Sequence, residues 1–227
     1  MVWFRKKSAG TKARHPELRK LLLCDQSLAQ LGSEPSDDPD TPQARFHAAQ
    51  SSMLVGDRAH ARRQLHDLLT LPAIDTSWRL QAWRCLRDLD ELPSPAQGAV
   101  VRGVVVDVGT PKGLETIAVY EDHTACLLRA DGEVLSFTDP EPGIADPAEA
   151  LLAAARGVVQ HTHPHAGPAE NPPEPGHACI RVLTYAGTHT GIGPLHSLER
   201  DAVGGPVLRA ATALGTAMQN LRLQRAQ

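Results

Sequence analysis

Between Leu92 and Pro95 the chain changes its period. Leu-, Ala- and Arg-rich segments with helical spacing stop at Leu92-Pro93-Ser94-Pro95, and Val100-Val101-Arg102-Gly103-Val104-Val105-Val106-Asp107-Val108 opens a region rich in β-branched residues. A helix repeats its apolar face about every 3.6 residues and a strand every second one, so a single element cannot carry both patterns. Two architectures are therefore joined here. With 227 residues, 41% of them hydrophobic, the chain can bury a real core, and its length fits one domain of roughly 100–150 residues plus a smaller one. The expected division is a basic, disordered arm over 1–15, a helical region over 16–92 and an α+β sheet domain over 98–227.

In the helical region, Leu18, Leu21, Leu22, Leu28 and Ala29 recur near helical spacing after Pro16 and predict one helix over 16–31, stopped by Gly32. The acidic, Pro-rich stretch 32–40 reads as a loop, and Thr41-Pro42 caps and opens the next helix. Three apolar stripes follow: Ala48, Ala49, Met53 and Leu54; Ala61, Leu65, Leu68 and Leu69; Leu80, Trp83, Leu86 and Leu89. The Gly56-Asp57 turn, the small Ala61 and the helix-ending Pro72 make residues 56–72 resemble the second half of a tetratricopeptide repeat. Arg45 and Ser52 stand where that repeat carries large apolar side chains. Since a solenoid needs about three repeats to be stable, the segment reads as a repeat-like hairpin packed on the rest of the protein.

Beyond Pro95, short turns separate runs with strand composition at 100–108, 114–120, 124–129 and 133–137, and Asp131-Gly132 between two of them is a strong hairpin signal. Asp146-Pro147 caps a helix running to about Gln160. A Pro/His/Gly-rich loop covers 161–177, strands follow at 178–185 and 188–194, and an amphipathic helix spans 206–225. Four strands, a helix, two strands and a helix suggest an antiparallel sheet with helices on one face. Alternation then sets Gly103, Val105 and Asp107 on the face opposite Val104, Val106 and Val108, with Asp107 expected toward solvent. This order of elements resembles profilin-like and roadblock-like domains in topology. Residues 103–108, 113–120, 191–195 and 204–207 also resemble a group of uncharacterised bacterial proteins, which implies one conjoined architecture over about 16–225, a bacterial origin and no assigned activity.

A net charge of -3 and a pI near 6.4 give no footprint for nucleic acid, which calls for a strongly basic domain or stripe. Positive charge is local: Lys6, Lys7, Lys12 and Lys20 join Arg5, Arg14 and Arg19 near the amino terminus. Trp3 and Phe4 beside this run are candidate contacts for a partner or, weakly, for an anionic membrane surface. They precede the charges rather than follow them, so no export signal is read there, and no run of about 18 apolar residues predicts a membrane span. Cys24, Cys85, Cys126 and Cys179 are widely spaced, as expected of reduced, buried thiols in a cytoplasmic protein.

The sharpest chemical signal is His161-Thr162-His163-Pro164. Two histidines at i and i+2 on an extended segment face one side, and neutral imidazoles are good zinc ligands. The tetrapeptide resembles the His-Ser/Thr-His-Pro core of the JAMM metalloproteases, in which a zinc-bound water attacks an isopeptide bond. That resemblance implies a zinc set of His161, His163 and Glu174, with Asn171 where the family has serine and Glu121 or Glu133 as the base. An Ala-rich helix precedes the motif where the family has an apolar strand, and five prolines lie between 164 and 175. The alternative is a solvated loop. Cys126 reads as a buried thiol, Trp83 as a core residue, and Trp78 as a contact for the second domain or a partner. Three functions stay open: a non-enzymatic adaptor that binds a protein partner, with homodimerisation possible; a zinc-dependent hydrolase; and a small-ligand sensor built on the sheet.

Overall fold

The structure, a computed structural model, describes residues 11–36, 38–138, 141–165 and 171–225, with the side chains of 11–16 excepted. The helical region is α1 (Thr11–Leu22), α2 (Leu28–Leu31), α3 (Pro42–Leu54), α4 (Arg58–Leu69) and α5 (Thr76–Asp88). Thr41 caps α3 by accepting the Ala44 N–H, and Asp57 caps α4 by accepting that of His60. Phe46, Ala49, Ala61, Leu65, Leu68, Ala82 and Leu86 are fully enclosed between α3, α4 and α5. Trp78 belongs to this core as well, its ring 5.7 Å from that of Phe46. It is therefore buried rather than displayed to a partner, while Trp83 packs against the same core and also stacks on Tyr185, with ring centroids 5.6 Å apart. The other two aromatic contact candidates, Trp3 and Phe4, lie outside the described residues.

The single helix expected over 16–31 is two. Cys24 takes a left-handed conformation (φ 50°) and Ser27 starts α2 with a capping box closed by Gln30. The turn is locked onto α5: Gln26 N–H donates to Gln81 Oε1 (3.2 Å) and Gln81 Nε2 donates to the Gln26 carbonyl (2.5 Å). Helical spacing does not foresee this break, because the partner that fixes it lies 55 residues away.

After the short α6 (Pro95–Gly98) come β1 (Gly103–Thr110), β2 (Gly113–Tyr120), β3 (Ala125–Leu128), β4 (Val134–Phe137), α7 (Pro142–His161), β5 (His177–Thr184), β6 (Gly187–Pro194), α8 (Leu195–Arg200) and α9 (Gly204–Arg225). The strands form one antiparallel sheet ordered β4-β3-β2-β1-β5-β6, so the chain is a mixed helix-and-sheet protein of α+β class. α7 starts earlier than Asp146-Pro147 predicted. Its buried positions Ile144, Ala148, Leu151, Ala155 and Val158 keep helical spacing across Pro147, and Ile144 is fully enclosed. Burying Ile144 outweighs the backbone hydrogen bond that a proline inside a helix gives up.

Both faces of the sheet are covered, not one. Val104, Val106, Ile117, Val119, Ile180 and Val182 pack under α7 and α9. Val105, Ala118, Tyr120, Cys126, Leu128 and Leu183 pack under Leu22, Leu23 and Cys24 at the end of α1 and under Leu80 of α5. The Tyr120 hydroxyl donates to the Leu22 carbonyl at 2.6 Å. The expected solvent position of Asp107 is corrected accordingly: its residue is fully buried, because the face it occupies is an interior layer. Among the described residues no helix is long and apolar enough to cross a membrane.

Candidate functional site

Asp107 sits at the centre of a buried charge cluster. Arg19 of α1 donates to its Oδ2 through Nε and Nη2 (2.9 and 2.7 Å), Arg181 of β5 donates to the same oxygen (2.5 Å), and the Thr116 hydroxyl donates to Oδ1 (2.6 Å). Thr116 is the direct cross-strand partner of Asp107. Two guanidiniums on one carboxylate, all three side chains nearly water-free, bind α1 to the sheet. Both carboxylate oxygens are engaged by these donors, so the cluster reads as structural.

The histidine motif lies at the end of α7 and in the residues that leave it. His161 is the last residue of α7 and its Nδ1 bonds the Gly157 carbonyl (2.8 Å). His163 follows in the exit from the helix, so the two rings are not an i, i+2 pair on a strand. Glu174 is exposed at the far end of the loop, and its backbone lies against Gly109, where a Cβ would fall 2.1 Å from the Glu174 carbonyl oxygen. Among the described residues no three His, Cys, Asp or Glu side chains come together as metal ligands. The motif instead anchors the loop. His165 exchanges backbone hydrogen bonds with Thr188 of β6 (2.8 and 3.0 Å). The Thr162 hydroxyl donates to the Val158 carbonyl (2.7 Å) and accepts from Nδ1 of the buried His189 (2.9 Å). Burial, with some repulsion from His163, lowers the His189 pKa below the ordinary histidine value.

All four cysteines are buried and outside disulfides, and burial pushes the thiols of Cys24, Cys85 and Cys126 up to about 12, far from the thiolate range a reactive cysteine needs.

What the sheet domain does contain is a cleft of about 460 Å³ between the sheet and the α8–α9 pair. Its floor is Val106 and Val108 of β1, Ile117 of β2 and Leu127 of β3, and its wall is Leu195 of α8 with Leu208 and Ala211 of α9. Glu115, Glu199 and Arg209 stand around it, with Thr212, Thr216 and Gln219 along the α9 side. The local sequence explains why it stays open. Asp201 ends α8 and accepts the Val203 and Gly204 N–H groups (2.9 and 2.6 Å), which hold its carboxyl below the usual carboxylate range. Gly205 then lets α9 start hard against α8, since a Cβ there would fall 2.5 Å from the Glu199 carbonyl oxygen. Farther along α9, a Cβ at Gly215 would meet Ile117 at only ordinary contact distance, 3.5 Å. The helix is pinned at its start, and small side chains face the sheet where larger ones would close the gap.

This volume lies within the roughly 300–1,000 Å³ of small-molecule sites, and an apolar floor with a few polar groups at the mouth is their usual composition. Sequence reasoning reached the strands and the helix but not the cleft, whose only local signals are Gly204-Gly205 and the small Ala211 and Gly215. Comparison with protein-family models, curated proteins and solved structures found no match to the chain.

Proposed function

We propose that the protein is a non-enzymatic binding protein that holds a small, largely apolar molecule in the cleft between the sheet and α8–α9. The single observation that carries this reading is the cleft itself: about 460 Å³ floored by Val106, Val108, Ile117 and Leu127. The cleft's ionisable side chains are Glu115, Glu199 and Arg209, and among the described residues none of them forms a hydrogen-bonded acid–base or nucleophile–base pair of the kind such chemistry uses.

The test is thermal denaturation in the presence of a library of small apolar compounds. A ligand at one hundred times its Kd stabilises the native state by about 2.7 kcal/mol, which in a chain of this size raises Tm by roughly 5–10 °C. The same compound is expected to give no shift with Thr212→Trp, which puts an indole into the mouth from an exposed helix position. A shift that survives Thr212→Trp overturns the cleft as its site.

A second reading is an adaptor that grips a protein partner through the helical region. It is favoured by Leu54, Val55 and Leu92, which are 77%, 81% and 74% exposed. The Arg58–Asp90 ion pair (2.7 Å) ties the α3–α4 turn to the end of α5, bringing these side chains to one end of the region. Exposed apolar groups gathered in this way are a common mark of interaction surfaces. Partner capture that is lost with Leu54→Asp/Val55→Asp and kept with Thr212→Trp would select the adaptor.

A further inference from the structure

We infer that the cleft selects a cationic amphiphile: an alkyl or aryl body lies along its apolar floor, and a protonated amine is held at the mouth by Glu115 and Glu199. This rests on the reading of the cleft as a binding site and adds the class of molecule it takes.

Glu115 stands at an unusual place for a carboxylate. Alternation along β2 sets it on the face of Ile117 and Val119, which packs under α7 and α9, and its direct cross-strand partner is Val108. A charge there is costly unless it meets water or an opposite charge. Glu115 is half-buried at the cleft, and its side chain forms no ion pair or hydrogen bond among the described residues; nor does that of Glu199, which comes to the same cleft from α8. Carboxylates that meet α9 elsewhere are engaged: Glu133 by Arg222, Glu141 by Arg225, and Asp201 by the Gly204 N–H.

The neutral groups of the cleft lean the same way. The Thr212 and Thr216 hydroxyls give their protons to the Leu208 and Thr212 carbonyls of their own helix (both 2.9 Å), so what each has left to offer a ligand is a lone pair. With the two carboxylates, four of the polar side chains that line the cleft are acceptors in need of a donor. Arg209 is the one cation among the lining residues, and it faces another group. A Cβ at Gly205 would lie 3.2 Å from its Nη1 and 2.5 Å from the Glu199 carbonyl oxygen, so the guanidinium sits against the end of α8, where carbonyl dipoles carry partial negative charge. The mouth keeps an excess of negative charge beside a low-dielectric floor, which strengthens its pull on a cation. An ammonium group has three protons to donate and no lone pair, which matches such a set where a carboxylate or phosphate would not. The floor row Val106, Ile117 and Leu127 crosses three neighbouring strands, about 10 Å, and α9 runs about 15 Å from Arg209 to Gln219. Glu115 lies next to Ile117 on this face, toward the β1–β2 turn, so an apolar body on the floor brings its head group to the carboxylate.

Calorimetric titration of the full chain at pH 7.5 with 1-naphthylmethylamine, 1-naphthylmethanol and 1-naphthoate tests this, since the three share a ring and differ in the polar group. The amine is expected to bind about tenfold tighter than the alcohol, and the carboxylate more weakly than either. In Glu115→Gln/Glu199→Gln, which keeps the shape of both side chains, the advantage of the amine over the alcohol is expected to vanish. Equal binding of amine and alcohol, a preference for naphthoate, or an amine preference that survives the double substitution overturns the cationic class; where that binding is still abolished by Thr212→Trp, the cleft stands as a ligand site. No binding of any of the three that Thr212→Trp abolishes overturns both.

Discussion

Asp107 is the residue on which the two halves of this chain depend. A buried carboxylate surrounded by donors from α1, β2 and β5 costs a large desolvation penalty, and its removal takes from two buried guanidiniums the carboxylate they share. Breaking such a cluster by deleting one partner destabilises by about 3–5 kcal/mol, more than the cluster contributes relative to a packed apolar replacement. Asp107→Ala is accordingly expected to lower the free energy of unfolding by about 3–5 kcal/mol in urea titration. Thr116→Val, which removes one neutral donor from Oδ1, is expected to cost only about 1–3 kcal/mol. A cost for Asp107→Ala no greater than that of Thr116→Val would show that the ion pairs do not hold α1. Alternation along β1 was legible in the sequence and put Asp107 with Gly103 and Val105. What lay on that face was not, because the covering groups come from Arg19 and Leu80, distant in sequence and belonging to the other composition.

At the scale of elements, the histidine motif ties the end of α7 to the edge strand β6. Thr162 gives its only proton to Val158, so His189 must carry hydrogen on Nδ1 to complete the bond at 2.9 Å. Because His189 titrates below the ordinary value of about 6.5, the folded ring stays neutral where the unfolded chain already takes a proton. The unfolded state then binds more protons, so this contribution is complete above about pH 6.5 and is lost as pH falls through the folded-state value. The urea midpoint is expected to drop between pH 7.5 and pH 5.5, and to drop less in His189→Gln. Identical pH slopes in the two proteins would remove His189 from this role. The capped helices α3 and α4, the Asp131-Gly132 hairpin and the meander could be read from local chemistry, since Thr41, Asp57 and Gly132 act on their immediate neighbours. Where a distant partner decides, as at Cys24 and at Ile144 ahead of Pro147, the local signals pointed to the wrong boundary. The tetrapeptide at 161–164 matched a metal motif in its letters, but α7 continues through His161 and turns the first ring away from any strand geometry.

On the scale of the whole molecule, the step at Leu92–Pro95 separates two compositions without separating two independent bodies. Ser94 caps α6, the Arg102 N–H bonds the Leu183 carbonyl, and Arg87 of α5 donates to the Tyr185 carbonyl at 2.5 Å. The helical region thereby forms the third layer over the sheet, with Trp83 stacked on Tyr185 and Leu80 among Val105, Tyr120 and Leu183. Each large apolar side chain on that face gains roughly 1.5–3 kcal/mol from burial. Five of them, Val105, Tyr120, Leu128, Leu183 and Tyr185, together match the 5–15 kcal/mol by which a folded chain is usually stable. A fragment of residues 98–227 would expose this face and leave the Asp107–Arg181 pair without Arg19 and without its cover, and is expected to be insoluble or to bind the neutral apolar fluorophore N-phenyl-1-naphthylamine without saturation. Co-expression with residues 1–97 is expected to restore a soluble complex, and the intact chain to unfold in one transition by circular dichroism and by Trp fluorescence alike. A soluble, cooperatively folding 98–227 fragment would mean instead that the helical layer is dispensable, and that the two compositions do mark two autonomous domains.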